Sequence, residues 1–128
     1  MIKSRRPVNI KDLQARSKDM GVRLFDPAWP GDPYTAIVES SSNPALNQIV
    51  TIRFGRNGRI KARCTCTWAQ YGGVACAHVL AALSKLAGRK RRALSFWLTP
   101  EEAQRQKQKV LRLSSADGDV YITSRSPA

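Results

Sequence analysis

The sequence predicts an α+β fold, and three observations carry that prediction. Two alternating stretches, 49–54 and 59–64, flank Asn57-Gly58 as the arms of a hairpin. The segment 77–87 then repeats apolar residues at Val79, Leu80, Leu83, Leu86 and Ala87, the stripe of an amphipathic helix ended by Gly88. Between hairpin and helix fall all 3 cysteines and the only histidine, spaced Cys64-x-Cys66, nine residues, Cys76-x-His78.

Burial fixes the hairpin register. A two-residue turn would set Phe54 opposite Lys61 and Ile52 opposite Arg63, mixing apolar and charged side chains on each face. A three-residue loop, Arg56-Asn57-Gly58 with Gly58 left-handed, instead pairs Phe54 with Ile60, Ile52 with Ala62 and Val50 with Cys64. One face is then apolar. The other carries Arg53, Lys61, Thr51 and Arg63, extended at the tip by Arg56 and Arg59. Tyr34 to Glu39, rich in β-branched and aromatic residues, completes a three-stranded antiparallel sheet (34–39, 49–54, 59–64), with the Ser- and Asn-rich 40–47 as a loop.

Thiolate sulfur and imidazole nitrogen are the donors zinc prefers, and three Cys with one His close a tetrahedron with no open position, as in structural sites. An odd cysteine count speaks against a disulfide framework. On a strand, Cys64 and Cys66 point to one face, which shared coordination requires. The sequence therefore predicts one structural Zn²⁺ held by Cys64, Cys66, Cys76 and His78, and a small zinc-stapled α+β domain. Trp68 and Tyr71 lie in the loop between the ligand pairs, which Gly72-Gly73 closes, with Trp68 as a lid over the metal.

The C-x-C, spacer, C-x-H order, preceded by a hairpin and followed by an apolar helix, resembles the SWIM-type zinc finger over about residues 34–87. The four ligand positions match one by one, while Thr67 and Ala77 stand where that family often has Pro and Lys. The resemblance implies a binding module, since such fingers are credited with contacts to both nucleic acid and protein.

The flanks add less regular elements. Lys3-Ser4-Arg5-Arg6-Pro7 is a basic arm, and Asn9 caps a helix over about 10–20, with Ile10, Leu13, Ser17 and Met20 at helical spacing and Gly21 ending it. Three prolines between Asp26 and Pro33 make an extended connector, with Phe25 and Trp29 covering the core edge. After the finger comes Arg89-Lys90-Arg91-Arg92, then Leu94, Phe96, Trp97 and Leu98 as a short link. Thr99-Pro100-Glu101-Glu102 starts a helix that runs to about 112, with Arg105, Lys109 and Arg112 along one side. Asp117-Gly118-Asp119 turns into a short final strand at 120–123, and the tail 124–128 is loose. The organisation is thus 1–33 arm, helix and connector; 34–88 finger core; and 89–128 basic linker, helix and strand, forming one compact domain.

Charge narrows the function. Lys and Arg number 22 against 9 acids, a net charge of +13 and a pI near 10.6, so a polyanion is the expected partner. The candidate phosphate contacts are Arg53, Arg56, Arg59, Lys61 and Arg63 on the hairpin, Arg89, Lys90, Arg91 and Arg92 after the helix, and Arg105, Lys109 and Arg112 beyond. There is no phosphate-binding glycine loop, no dinucleotide fingerprint and no histidine free to act as a base, so a binding role rather than an enzyme is expected, without a small-molecule substrate. No apolar run reaches membrane-spanning length, and the thiols require a reducing, intracellular setting. Two readings follow: a nucleic-acid-binding accessory protein with little sequence specificity, or a protein-interaction subunit of a nucleoprotein, recombination or mobile-element complex.

Overall fold

A computed structural model of the chain describes residues 10–39, 47–65, 76–113 and 119–125. Among these residues it is α+β, with strands β1 (Gly21–Phe25), β2 (Tyr34–Glu39), β3 (Gln48–Phe54), β4 (Arg59–Cys64), β5 (Ala93–Trp97), β6 (Val110–Leu113) and β7 (Val120–Arg125). The helices are α1 (Ile10–Ser17), α2 (Ala77–Gly88) and α3 (Pro100–Gln104). One mixed sheet runs in the order β1-β2-β3-β4-β6-β7-β5. The three expected strands are its β2-β3-β4 portion, so a three-stranded sheet is too small a description. The added strands are short, and two of their pairings, β4 with β6 and β5 with β7, join segments separated by other elements.

The hairpin forms in the expected register. Val50 lies opposite Cys64, Ile52 opposite Ala62, and Phe54 opposite Ile60. A turn of 3₁₀ helix at Arg56–Gly58 joins the arms, closed by Gly55 N–H donating to the Arg59 carbonyl at 2.8 Å. Gly58 has φ +74°, and a Cβ there would sit 3.2 Å from Leu111 Cδ2 and 3.3 Å from the Val110 carbonyl oxygen. Both the left-handed backbone and the approach of β6 require glycine. Parallel pairing of Arg59 with Arg112 and Ile60 with Leu113 joins β4 to β6.

α2 lies across one face of the sheet and touches β1 through β5. Val79, Leu80, Ala82 and Leu83 meet Val38, Val50, Ile52, Ile60, Phe96 and Ile122 in a core from which water is almost fully excluded. Excluding it is the main favourable term in folding. α1 packs beside α2 and along β5. There Gln14 Oε1 accepts the Phe96 amide at 3.1 Å, satisfying an N–H on the sheet's outermost strand.

Several boundaries move from their sequence positions. The first helix stops at Ser17 instead of about 20, and Gly21 opens β1 rather than closing the helix, because Val22 and Leu24 pack on the core. α2 ends at Gly88 as expected, but the left-handed turn comes three residues later at Arg91, φ 56°, where Arg92 N–H reaches back to the Ala87 carbonyl at 3.0 Å and Arg91 N–H to that of Gly88 at 3.0 Å. This is a Schellman-type closure. The link at 93–97 is β5, paired with β7.

The last helix starts as expected, with Thr99 accepting the Glu102 amide and Pro100 in its first turn, but it ends at Gln104 rather than about 112. Ala103 alone anchors it in the core, too little apolar surface to hold a longer helix. Val110–Leu113 joins the sheet between β4 and β7 instead. Trp29 and Phe25, expected to cover the core edge, are 73% and 46% exposed. The basic arm, Asn9, 40–46, the Asp117-Gly118 turn and the tail beyond 125 lie outside the described residues.

The two left-handed positions make opposite predictions. Gly58→Ala should lower stability to denaturant by more than about 1 kcal/mol. Arg91→Gly should raise it by about 1 kcal/mol, because the side chain's clash with its own backbone is relieved.

Candidate metal centre and basic surface

The end of β4 and the start of α2 meet at one point. Cys64 is the last residue of its strand, held inward opposite Val50. Just beyond it Thr65 is tied back to β3, with its amide donating to the Ile49 carbonyl at 3.1 Å and its hydroxyl accepting the Ile49 amide at 3.0 Å. Cys76 is the N-cap of α2, with extended backbone. Its carbonyl accepts the Leu80 amide, the first bond of the helix. His78 follows in the first turn, with Nδ1 shielded from solvent.

The Cys64 and Cys76 sulfurs and one His78 ring nitrogen lie within 4.8 Å of one another. Zn–S and Zn–N bonds of about 2.3 and 2.0 Å place two sulfurs and a nitrogen about 3.5–3.8 Å apart around a tetrahedral ion, so only a small contraction brings these three onto one ion. Both cysteines are free thiols and buried. The donor set thus suits zinc, with Cys64, Cys76 and His78 as holders. The fourth predicted ligand, Cys66, lies outside the described residues, as do Trp68, Tyr71 and Gly72-Gly73.

These features define the class: a strand–helix junction of the zinc-finger kind. Comparison with protein families makes it particular, since residues 49–87, from β3 to the end of α2, match the SWIM zinc finger. The similarity starts one strand later than the 34–87 read from the sequence. No curated protein and no solved structure matched the chain.

The structure divides the candidate cations into two groups. Arg53, Lys61 and Arg63 stand exposed on the sheet face opposite α2, with Arg59 beside them and Arg56 at the hairpin tip. Arg53 lies directly across from Lys61, and Arg59 directly across from Arg112. Among the described residues, Arg53, Arg59, Lys61 and Arg63 have no carboxylate partner; Arg112 meets Asp119 at 3.6 Å. Arg23 of β1 shares this face, opposite Ile37. Sequence reasoning missed it because only the pairing of β1 brings it there.

The second group lies around the end of α2 and is partly used internally. Arg89 forms a two-pronged pair with Asp26, at 2.7 and 3.1 Å. Arg92 donates to Ser124 through Nε to Oγ at 2.8 Å and through Nη2 to the carbonyl at 2.6 Å. Arg105, Lys109 and Arg112, expected on one side of a helix, do not share one: Arg105 follows α3, Lys109 precedes β6 and Arg112 is in β6. Arg92 and Lys109 line a cleft of about 490 Å³ with Leu111, Ser124 and Arg125. Lys90 is exposed near an adjoining apolar cleft that includes Phe54, Leu86 and Leu94.

The hydrogen bond from Arg89 holds the Asp26 carboxyl below the usual aspartate range. A depressed acid adds stability above its unfolded value and loses it as pH falls through the folded one, so this clasp opens only in acid. Arg89→Ala should return Asp26 to the ordinary range, as an NMR titration of the side-chain carboxyl carbon would record.

Proposed function

We propose that the chain is a zinc-dependent accessory protein that binds nucleic acid through phosphates, with little sequence specificity. One observation carries this reading: like charges are placed directly across from one another on the open sheet face, at Arg53–Lys61 with no carboxylate partner among the described residues and at Arg59–Arg112 with Asp119 beside Arg112 alone. Such pairs work against the sheet that holds them, and a polyanion laid over them removes the repulsion. Phosphate contacts position a nucleic acid without reading its bases. The reading is of a binding module rather than an enzyme, acting in a reducing, intracellular compartment where the thiols can hold metal.

In this reading the zinc is a single structural ion that ties β4 to α2 and so fixes the orientation of the basic face. Chelation or Cys76→Ser should unfold the β4–α2 junction, because metal binding and folding are coupled. Metal analysis of the purified protein should give one zinc per chain. An unchanged thermal transition after complete zinc removal would rule out the structural role.

Binding to DNA or RNA should weaken linearly in log salt. About five or six engaged cations, including Arg23 and Arg56, give a slope of magnitude about 3.5 to 5.5. Double reversal, Lys61→Glu with Arg63→Glu, should reduce that slope by about 2 or more. A second reading, a protein-interaction subunit, is favoured by Phe54, 49% exposed, at the apolar cleft beside Lys90. No nucleic-acid binding by the isolated chain at low salt would select it.

A further inference from the structure

The sheet face opposite α2 is not uniformly charged. Strand pairing lines up Phe25, Thr35, Thr51 and Arg63 in one row across β1 to β4. A second row, at the other end of β4, runs Arg59, Arg112, Tyr121 across β4, β6 and β7. Phe25 is 46% exposed. Between the rows, β4 presents a cation at every second residue, about 6.7 Å apart. Aromatic rings therefore lie toward both sides of a cationic strip on one surface.

The shape of that surface discriminates between forms of nucleic acid. The helix α3 packs on β5 and β7, where Thr123 is buried, so the open part of this face spans β1, β2, β3, β4 and β6, five strands about 4.8 Å apart and about 19 Å wide. A duplex major groove about 12 Å wide admits a helix or a two-stranded ribbon, not such a sheet. Duplex bases are in any case stacked on one another and offer no ring face to Phe25. A single strand can lie flat, with its phosphates on the cations and unstacked bases on the rings.

Resting on the nucleic-acid reading above, we propose that the ligand of this face is single-stranded nucleic acid, crossing the sheet from Phe25 over Arg63, Lys61 and Arg59 toward Tyr121. Phe25 serves as a base-stacking platform. The ring contacts distinguish one strand from two, and the cations supply most of the affinity. Because base stacking is tolerant of sequence, the site selects strandedness rather than a base order.

Fluorescence anisotropy with the zinc-loaded full chain tests this, using a 20-nucleotide oligothymidylate, a 20-nucleotide oligouridylate and a 20-base-pair duplex. Tighter binding of either single strand than of the duplex is expected. Phe25→Ala should weaken single-strand binding by about 5- to 100-fold and leave duplex binding within about twofold. Because that ring is half exposed, the variant should stay folded at the assay temperature with only a modestly lowered thermal transition, separating stacking from folding. Duplex binding as tight as single-strand binding, or an unchanged single-strand affinity in Phe25→Ala, overturns the proposal while leaving the phosphate-contact reading intact. Failure of all three probes to bind at low salt overturns both.

Discussion

The register of β3 against β4 is the constraint on which the rest depends. With Val50 opposite Cys64 and Ile52 opposite Ala62, these four alternate residues enter the core together with Ile60. The intervening positions expose Arg53, Lys61 and Arg63. A slip by one residue would bury those charges and turn Cys64 away from α2. Gly58 holds the register at the turn, where φ +74° strains any other residue and the nearness of β6 would crowd a Cβ. Core formation, presentation of a metal ligand and display of cations are thus three consequences of one pairing.

The donor cluster lies where two elements of different geometry must be joined. β4 delivers one thiol at its end, and α2 delivers a thiol and an imidazole at its start. A shared ion would link the sheet to the helix that covers it. Elsewhere the helices are tethered by weaker devices, such as Gln14 on the Phe96 amide and the Arg89–Asp26 clasp at the exposed end of α2. The clasp is solvent-exposed and contributes little by itself, but it fixes where the connector after β1 crosses the helix end.

Basic residues in this chain do not form one class. Arg92 buttresses β7, and Arg91 occupies a left-handed helix terminus that usually favours glycine. The cations of β3 and β4 have neither duty among the described residues, and they stand against one another across the strands. That contrast separates cations that complete the fold from those whose arrangement is costly unless a polyanion covers them.

Much of the centre was legible. The alternation in 49–54 and 59–64 fixed the hairpin, the apolar spacing after Cys76 gave α2, and the donor types and spacing pointed to the metal cluster of Cys64, Cys76 and His78. Each depends on neighbours within a few residues or on a face that one element shows by itself. The extent of the sheet was not legible. β1, β5 and β6 are four or five residues long, and the last follows polar helix formers, so local propensity favoured helix at 105–112. Pairing Val110–Leu113 between β4 and β7 overrode that preference, because Leu113 is fully buried there and would have been half solvated on a thin helix. The amino-acid order by itself determined the hairpin, the helix after it and the three donors Cys64, Cys76 and His78. Only the tertiary structure decided which distant strands flank them, and therefore which rings and cations share one surface, because pairing partners far apart in sequence leave no periodic trace in either segment.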